Sequence, residues 1–210
     1  MELYQSSTSD ININPANILL ELIEVSIHNI LFIRQLYPKS IFCLKKKYGI
    51  PIHVSTYTDL NVYIHESLKA MEELLKINQL EEVAVCFINE KDYKVIERFV
   101  FNILSISKSF ENGGQNNDSY LINQREAFRA YLLKLSIIDS QLKPLPENCI
   151  FKICIQTKES GSVALSKDPK FEDFPWIELE DKETAKENPK IIPIRTLETN
   201  SINLEMYVEC

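Results

Sequence analysis

A chain of 210 residues with 45% hydrophobic and 25% charged side chains has the size and composition of one globular domain, or at most two, and needs neither disulfides nor a metal to fold. Its 23 basic and 30 acidic residues give a net charge of −7, which argues against a protein that grips nucleic acid through its overall field. The four glycines, Gly49, Gly113, Gly114 and Gly161, form neither G-x-G-x-x-G nor G-x-x-x-x-G-K, so the standard nucleotide loops are absent.

Residues 1–14 read as a disordered tail, and MELYQSSTSD lacks the basic and apolar regions of a signal peptide. Asn14-Pro15 is an N-cap followed by the first helical residue. Apolar residues then recur with a period near 3.6 until Pro38, which predicts a central helix ending near Tyr37. Glu21, Glu24 and His28 interrupt its apolar run, which reads as too short and too charged to span a bilayer. An extended stretch over 41–55 leads to a second helix over 58–77, striped by Leu60, Tyr63, Ile64, Leu68, Met71, Leu74 and Leu75. Two strands, 83–88 and 95–104, form a hairpin turned at 89–92. The Ser/Asn/Gly-rich 105–119 is a loop. A third helix over 120–141 follows, on Ile122, Phe128, Tyr131, Leu132, Leu135 and Ile138. After Pro144 and Pro146 comes a strand over 149–157, and the last 50 or so residues are polar links between short apolar patches. The pattern is α+β: three helices on a mostly antiparallel sheet, then a β-rich tail.

The chemistry-bearing residues form no catalytic set. Five cysteines, Cys43, Cys86, Cys149, Cys154 and Cys210, include no C-x-x-C, and the odd number points to a reduced, intracellular protein. His65-Glu66 opens like H-E-x-x-H, but Lys69 stands where the second ligand belongs. Cys149 and Cys154, five apart on one strand, point to opposite faces and cannot chelate together. No metal, cofactor or nucleophile–base pair is expected. Lys45-Lys46-Lys47 reads as a solvated face. Trp176, the sole tryptophan, lies in a polar tail, where an interface role is credible.

Ordered blocks of the sequence resemble one family. They are Glu24-Val25-Ser26-Ile27-His28, Tyr37-Pro38-Lys39-Ser40-Ile41-Phe42, Lys46-Lys47-Tyr48-Gly49-Ile50-Pro51 and Leu60-Asn61-Val62-Tyr63-Ile64. Glu97-Arg98-Phe99-Val100-Phe101, Asp173-Phe174-Pro175-Trp176-Ile177, Ile192-Pro193-Ile194 and Met206-Tyr207-Val208-Glu209 complete them. Together they are similar to the HORMA domain family, in its branch of accessory subunits of translesion DNA polymerase zeta. The likeness covers residues 15–209, as a core over 15–158 and a C-terminal "safety belt" over 159–209.

The resemblance implies a non-catalytic adaptor that takes an extended peptide as an added strand and wraps it with the belt. It assigns Tyr63 and Trp176 to a proline-bearing peptide of the polymerase zeta catalytic subunit. It assigns Ile191, Glu205 and Tyr207 to docking of the inserter polymerase scaffold, and Arg129 and Lys134 to a face through which HORMA proteins form homodimers or heterodimers. Glu205 stands where relatives carry a neutral amide, and Leu44 replaces a basic residue of the pairing face. The loop at 111–118 looks longer than in relatives. The implied partners also include a HORMA-remodelling AAA+ ATPase and, in a mitotic role, an activator of the anaphase-promoting complex. Direct nucleic-acid or membrane binding is not implied, and the implied location is the nucleus, with cytoplasm and spindle.

Overall fold

The structure, a computed structural model, describes residues 14–107, 117–158, 176–177, 188–199 and 201–210. Helix α1, Pro15–Ile33, starts where proline's fixed φ suits the first turn, with the Asn14 side chain accepting from the Ala16 N–H at 3.0 Å. It is buried on nearly every side from Leu19 to Leu31. By length and apolar content α1 is sufficient to cross a membrane, contrary to the expectation from its charges, and here that same surface is the hub of the core. It also stops short of Tyr37. Gln35 adopts φ +52°, the Leu36 N–H reaches the Leu31 carbonyl at 3.3 Å, and the Gln35 N–H reaches that of Phe32 at 3.1 Å. This double closure ends the helix before Pro38 has any say.

Residues expected as one extended stretch instead make a hairpin, β1 Phe42–Lys47 and β2 Ile50–Ser55, after a short 3-10 turn at Lys39–Ile41. Tyr48 and Gly49 form its two-residue turn with φ of +48° and +81°, the left-handed pair that such tight hairpins require. Ile50 and Ile52 face the core, while Lys45 and Lys46 face solvent along the outer strand, where charge discourages edge pairing. Helix α2, Thr58–Lys76, buries Leu60, Ile64, Leu68, Met71 and Leu74 as its spacing predicts. It ends as α1 does, with Asn78 at φ +56°.

Among the described residues, five antiparallel strands form the main sheet: β3 Leu80–Asn89, β4 Val95–Ile106, β5 Cys149–Thr157, β6 Ile191–Glu198 and β7 Ile202–Glu209, in the order β5-β3-β4-β7-β6. Alternation decides the faces. Val83, Val85, Phe87, Phe99, Phe101, Ile153, Met206 and Val208 point to the helices and join one apolar core. Helix α3, Asn117–Ile137, adds Phe128, Tyr131, Leu132 and Leu135, and a 3-10 turn at Ile138–Gln141 continues it. Ile122, expected in that stripe, is 59% exposed, and its turn is buried through Gln124 instead. The reason is angular, since 124, 128, 131 and 135 follow the helical period and 122 does not. The expected tail lies outside the described residues up to position 13, as do 108–116 of the expected loop and 159–175 and 178–187 of the expected belt.

Candidate functional site

Strand β5 is one edge of the sheet and β6 is the other. The connection between them therefore starts at one edge and ends at the opposite one. An added strand would pair along the outer side of β5, which no described strand occupies. Tyr63 of α2 stands at that edge. Its hydroxyl accepts from the Ile153 N–H of β5 at 3.1 Å. Its ring meets Phe151 edge-on at 5.7 Å, and Phe151 in turn meets Tyr37 at 6.2 Å. Burial, above all, raises the Tyr63 phenol above its ordinary range, so the hydroxyl stays neutral. Trp176, within the connection, is half-buried against the core that Tyr63 also borders, while neighbouring Ile177 is 81% exposed. An aromatic wall beside a strand edge is suited to an extended segment carrying prolines, which pack on ring faces.

The outer face of the sheet has its own order. Register places Cys154, Ala84, Val100, Tyr207 and Pro193 in one row, and Lys152, Cys86, Arg98, Glu209 and Ile191 in the next. A third row holds Gln156, Glu82, Asn102, Glu205 and Thr196. Thus Ile191, Glu205 and Tyr207 share this face in successive rows. Arg98 ties three strands, with Nη2 to Glu82 of β3 at 2.6 Å and Nη1 to Glu209 of β7 at 2.7 Å. Asn102 Nδ2 donates to Glu205 Oε2 at 3.4 Å. Tyr207 packs on the small buried group formed by Ala84, Cys86, Ile88, Val100 and Cys154. Cys149 packs on the inner side, so it and Cys154 do face opposite ways.

Arg129 and Lys134 are exposed on α3, and Arg129 lies 3.8 Å from Glu126. Sequence reasoning missed Leu133 and Ile137, 49% and 64% exposed, which with Arg129 form a single line at i, i+4 and i+8. Their signal was apolar residues off the buried stripe. Leu44 of β1 is likewise 63% exposed, and its hairpin turn reaches α3 through Tyr48, 5.3 Å from Phe128. Also missed were Glu82, Arg98 and Asn102. His28 and His53 pack within the fold, while His65 is exposed on α2. Buried His28 accepts from the Ser55 N–H at 3.4 Å, and His53 stacks on Phe32 at 3.4 Å. Among the described residues no group of three His, Cys, Asp or Glu side chains gathers to hold a metal ion.

Among the described residues, three helices lie on an antiparallel sheet with β5 at one edge and a C-terminal hairpin at the other, which is an α+β architecture. The HORMA domain family model matches residues 15–201, and the chain belongs to that family, which is one of adaptors rather than enzymes. Human "Mitotic spindle assembly checkpoint protein MAD2B" is 34% identical over 199 residues, 92% of this chain and 90% of that protein. Drosophila melanogaster "DNA polymerase zeta subunit 2" is 26% identical over 194 residues, 92% of this chain and 95% of that one. A chain of the mitotic checkpoint complex crystal structure aligns with a TM-score of 0.76 at 17% identity, over 92% of this chain and 97% of its own. C. elegans HTP-2 bound to a HIM-3 closure motif aligns at 0.67 and 16% identity, over 92% and 89%.

Proposed function

We propose that this protein is the accessory subunit of a translesion DNA polymerase zeta, capturing a proline-bearing peptide of the catalytic subunit along β5. The same protein docks the inserter polymerase scaffold on the outer face of β6 and β7, so that the two polymerases are bridged in the nucleus. The observation that carries this reading is the edge position of β5 among the described strands, with Tyr63 bonded to its Ile153 N–H. The relatives named as polymerase zeta subunits and the resemblance of the Trp176 block support the choice of partner. In this reading a HORMA-remodelling AAA+ ATPase resets the bound state, and Arg129 and Lys134 lie on the pairing face. A second reading, restraint of the anaphase-promoting complex through its activator, is favoured by the checkpoint names of the relatives such as MAD2B.

The test is calorimetry with the catalytic-subunit peptide. Tyr63→Ala and Trp176→Ala should each weaken binding at least about 30-fold, because truncating a central aromatic commonly removes about 2 kcal/mol or more. Circular dichroism should show both variants folded. Wild-type affinity in folded variants would refute the assignment, and binding of an activator peptide in place of the polymerase peptide would favour the second reading.

A further inference from the structure

Tyr207 stands between Glu205 and Glu209, two residues away on either side and therefore on the same face. Glu82 approaches from β3, and burial together with Glu82, Glu209 and Glu205 raises the Tyr207 phenol, with Arg98 opposing. Arg98 is the cation of this group, and its two η nitrogens are already engaged by Glu82 and Glu209. Glu205 has no ion pair among the described residues. Its described contact is the neutral Asn102 amide at 3.4 Å. Of the two further cations of these strands, Lys152 stands opposite Cys86, and exposed Arg195, at a β6 bulge, adjoins Thr196 opposite Glu205 without an ion pair to it among the described residues. Beside Tyr207 the β6 part of the face offers apolar side chains, with Ile191 58% exposed and Pro193 directly opposite Tyr207.

A purely apolar surface closing over this face would strip water from the half-buried Glu205 carboxylate and return nothing, which is costly. An acidic surface would add repulsion. A lysine or arginine supplies a charge-assisted hydrogen bond to Glu205, the carboxylate of this group with no ion pair among the described residues. We infer that, granted the docking reading above, this face selects a partner surface that sets apolar side chains on Ile191 and Pro193 and a basic side chain against Glu205. Glu205 is then the residue that determines specificity for the scaffold, and its charge is matched by the scaffold's own.

The experiment uses the full chain, loaded with the polymerase peptide, and the scaffold's C-terminal domain from the same organism. Affinities are measured by calorimetry at about 0.05 and 0.5 M salt, which spans weak to strong screening. Glu205→Gln keeps the shape and the Asn102 contact, and should weaken docking about 3- to 10-fold, while Glu205→Lys should weaken it at least about 30-fold. Salt should weaken the wild type more than Glu205→Gln. If Tyr207→Ala abolishes docking while both Glu205 variants bind like wild type or tighter, the charge pairing is overturned and the docking reading stands. If Tyr207→Ala also binds like wild type, the docking reading itself fails.

Discussion

Removing one partner of the ion pair between Arg34 and Glu97 should harm the fold more than removing both. Arg34 caps α1 and is 6% exposed, and Glu97 on β4 is 2% exposed. Nε donates to Glu97 Oε1 at 2.6 Å and Nη2 to Oε2 at 3.1 Å, a two-pronged contact. Nη1 pairs with Asp139, and Nη2 also donates to the Lys143 carbonyl at 2.6 Å. One guanidinium thus joins α1, β4 and the segment after α3. Glu97→Ala leaves it in the core facing one carbonyl and Asp139, whose side chain is 40% exposed and partly screened. Breaking a buried pair typically costs about 3–5 kcal/mol, and the retained Asp139 contact places this case near about 3. The double variant Arg34→Met with Glu97→Leu removes both charges and fills the space with apolar atoms, so it should lie within about 1–2 kcal/mol of wild type. Urea unfolding followed by circular dichroism measures all the variants. A Glu97→Ala loss under about 1 kcal/mol, or a double variant equal to the sum of the singles, would refute the reasoning.

Two other outcomes follow from single residues. His28 is lowered from 6.5 to about 4, by burial first and Lys45 second. As pH falls from about 6.5 to about 4, the unfolded chain gains a proton that the folded chain refuses, so stability should drop by up to about 3 kcal/mol. Urea midpoints of wild type and His28→Gln across that window check it, and equal pH slopes would contradict it. Gly49→Ala places a side chain at φ +81° with its Cβ 3.7 Å from Arg125 Nη2, so conformation rather than crowding is the obstacle. The expected loss is about 1 kcal/mol by thermal unfolding, and an unchanged midpoint would show that the turn relaxes.

The helices and the large hairpin were legible because their burial is periodic. Leu60 to Leu74 on α2 and Phe99 to Phe101 on β4 carry the spacing that the core demands. The β1–β2 hairpin was not legible, since Lys45-Lys46-Lys47 gives one strand no inward apolar mark, and its turn needs Tyr48 in the left-handed region, where few side chains go. The stop of α1 was hidden for a similar reason, because Gln35 does the work usually left to glycine. At the candidate site, Tyr63 read as one more member of a stripe. Its hydroxyl matters only because β5 lies at the sheet edge, and strand order is not written in local pattern. Nothing in the local pattern of the strand marks Arg98 or Asn102 as site residues. Asn102 meets Glu205, 103 positions away, and no window of the sequence contains that contact.

The outer face is a composite, and that gives it a condition. Ile191, Glu205 and Tyr207 belong to the C-terminal hairpin, but their neighbours do not: Val100 and Asn102 are on β4, and Glu82 is on β3. Arg98 joins the two sets through ion pairs of 2.6 and 2.7 Å. The hairpin reaches the rest of the sheet through the pairing of β7 with β4, from Arg98 opposite Glu209 to Ile106 opposite Ile202. Any arrangement that takes β7 off β4 parts Glu205 from Asn102, Glu209 from Arg98 and Tyr207 from Val100, and so dismantles the face. It also strips Phe99 and Phe101 of Val208 and Met206, their cross-strand neighbours on the core side. Burying a large apolar side chain is worth about 1.5–3 kcal/mol, so the alternative must rebury several such side chains elsewhere to compete. The outer face and the core share one seam, and whatever fixes the hairpin on β4 sets whether that face exists.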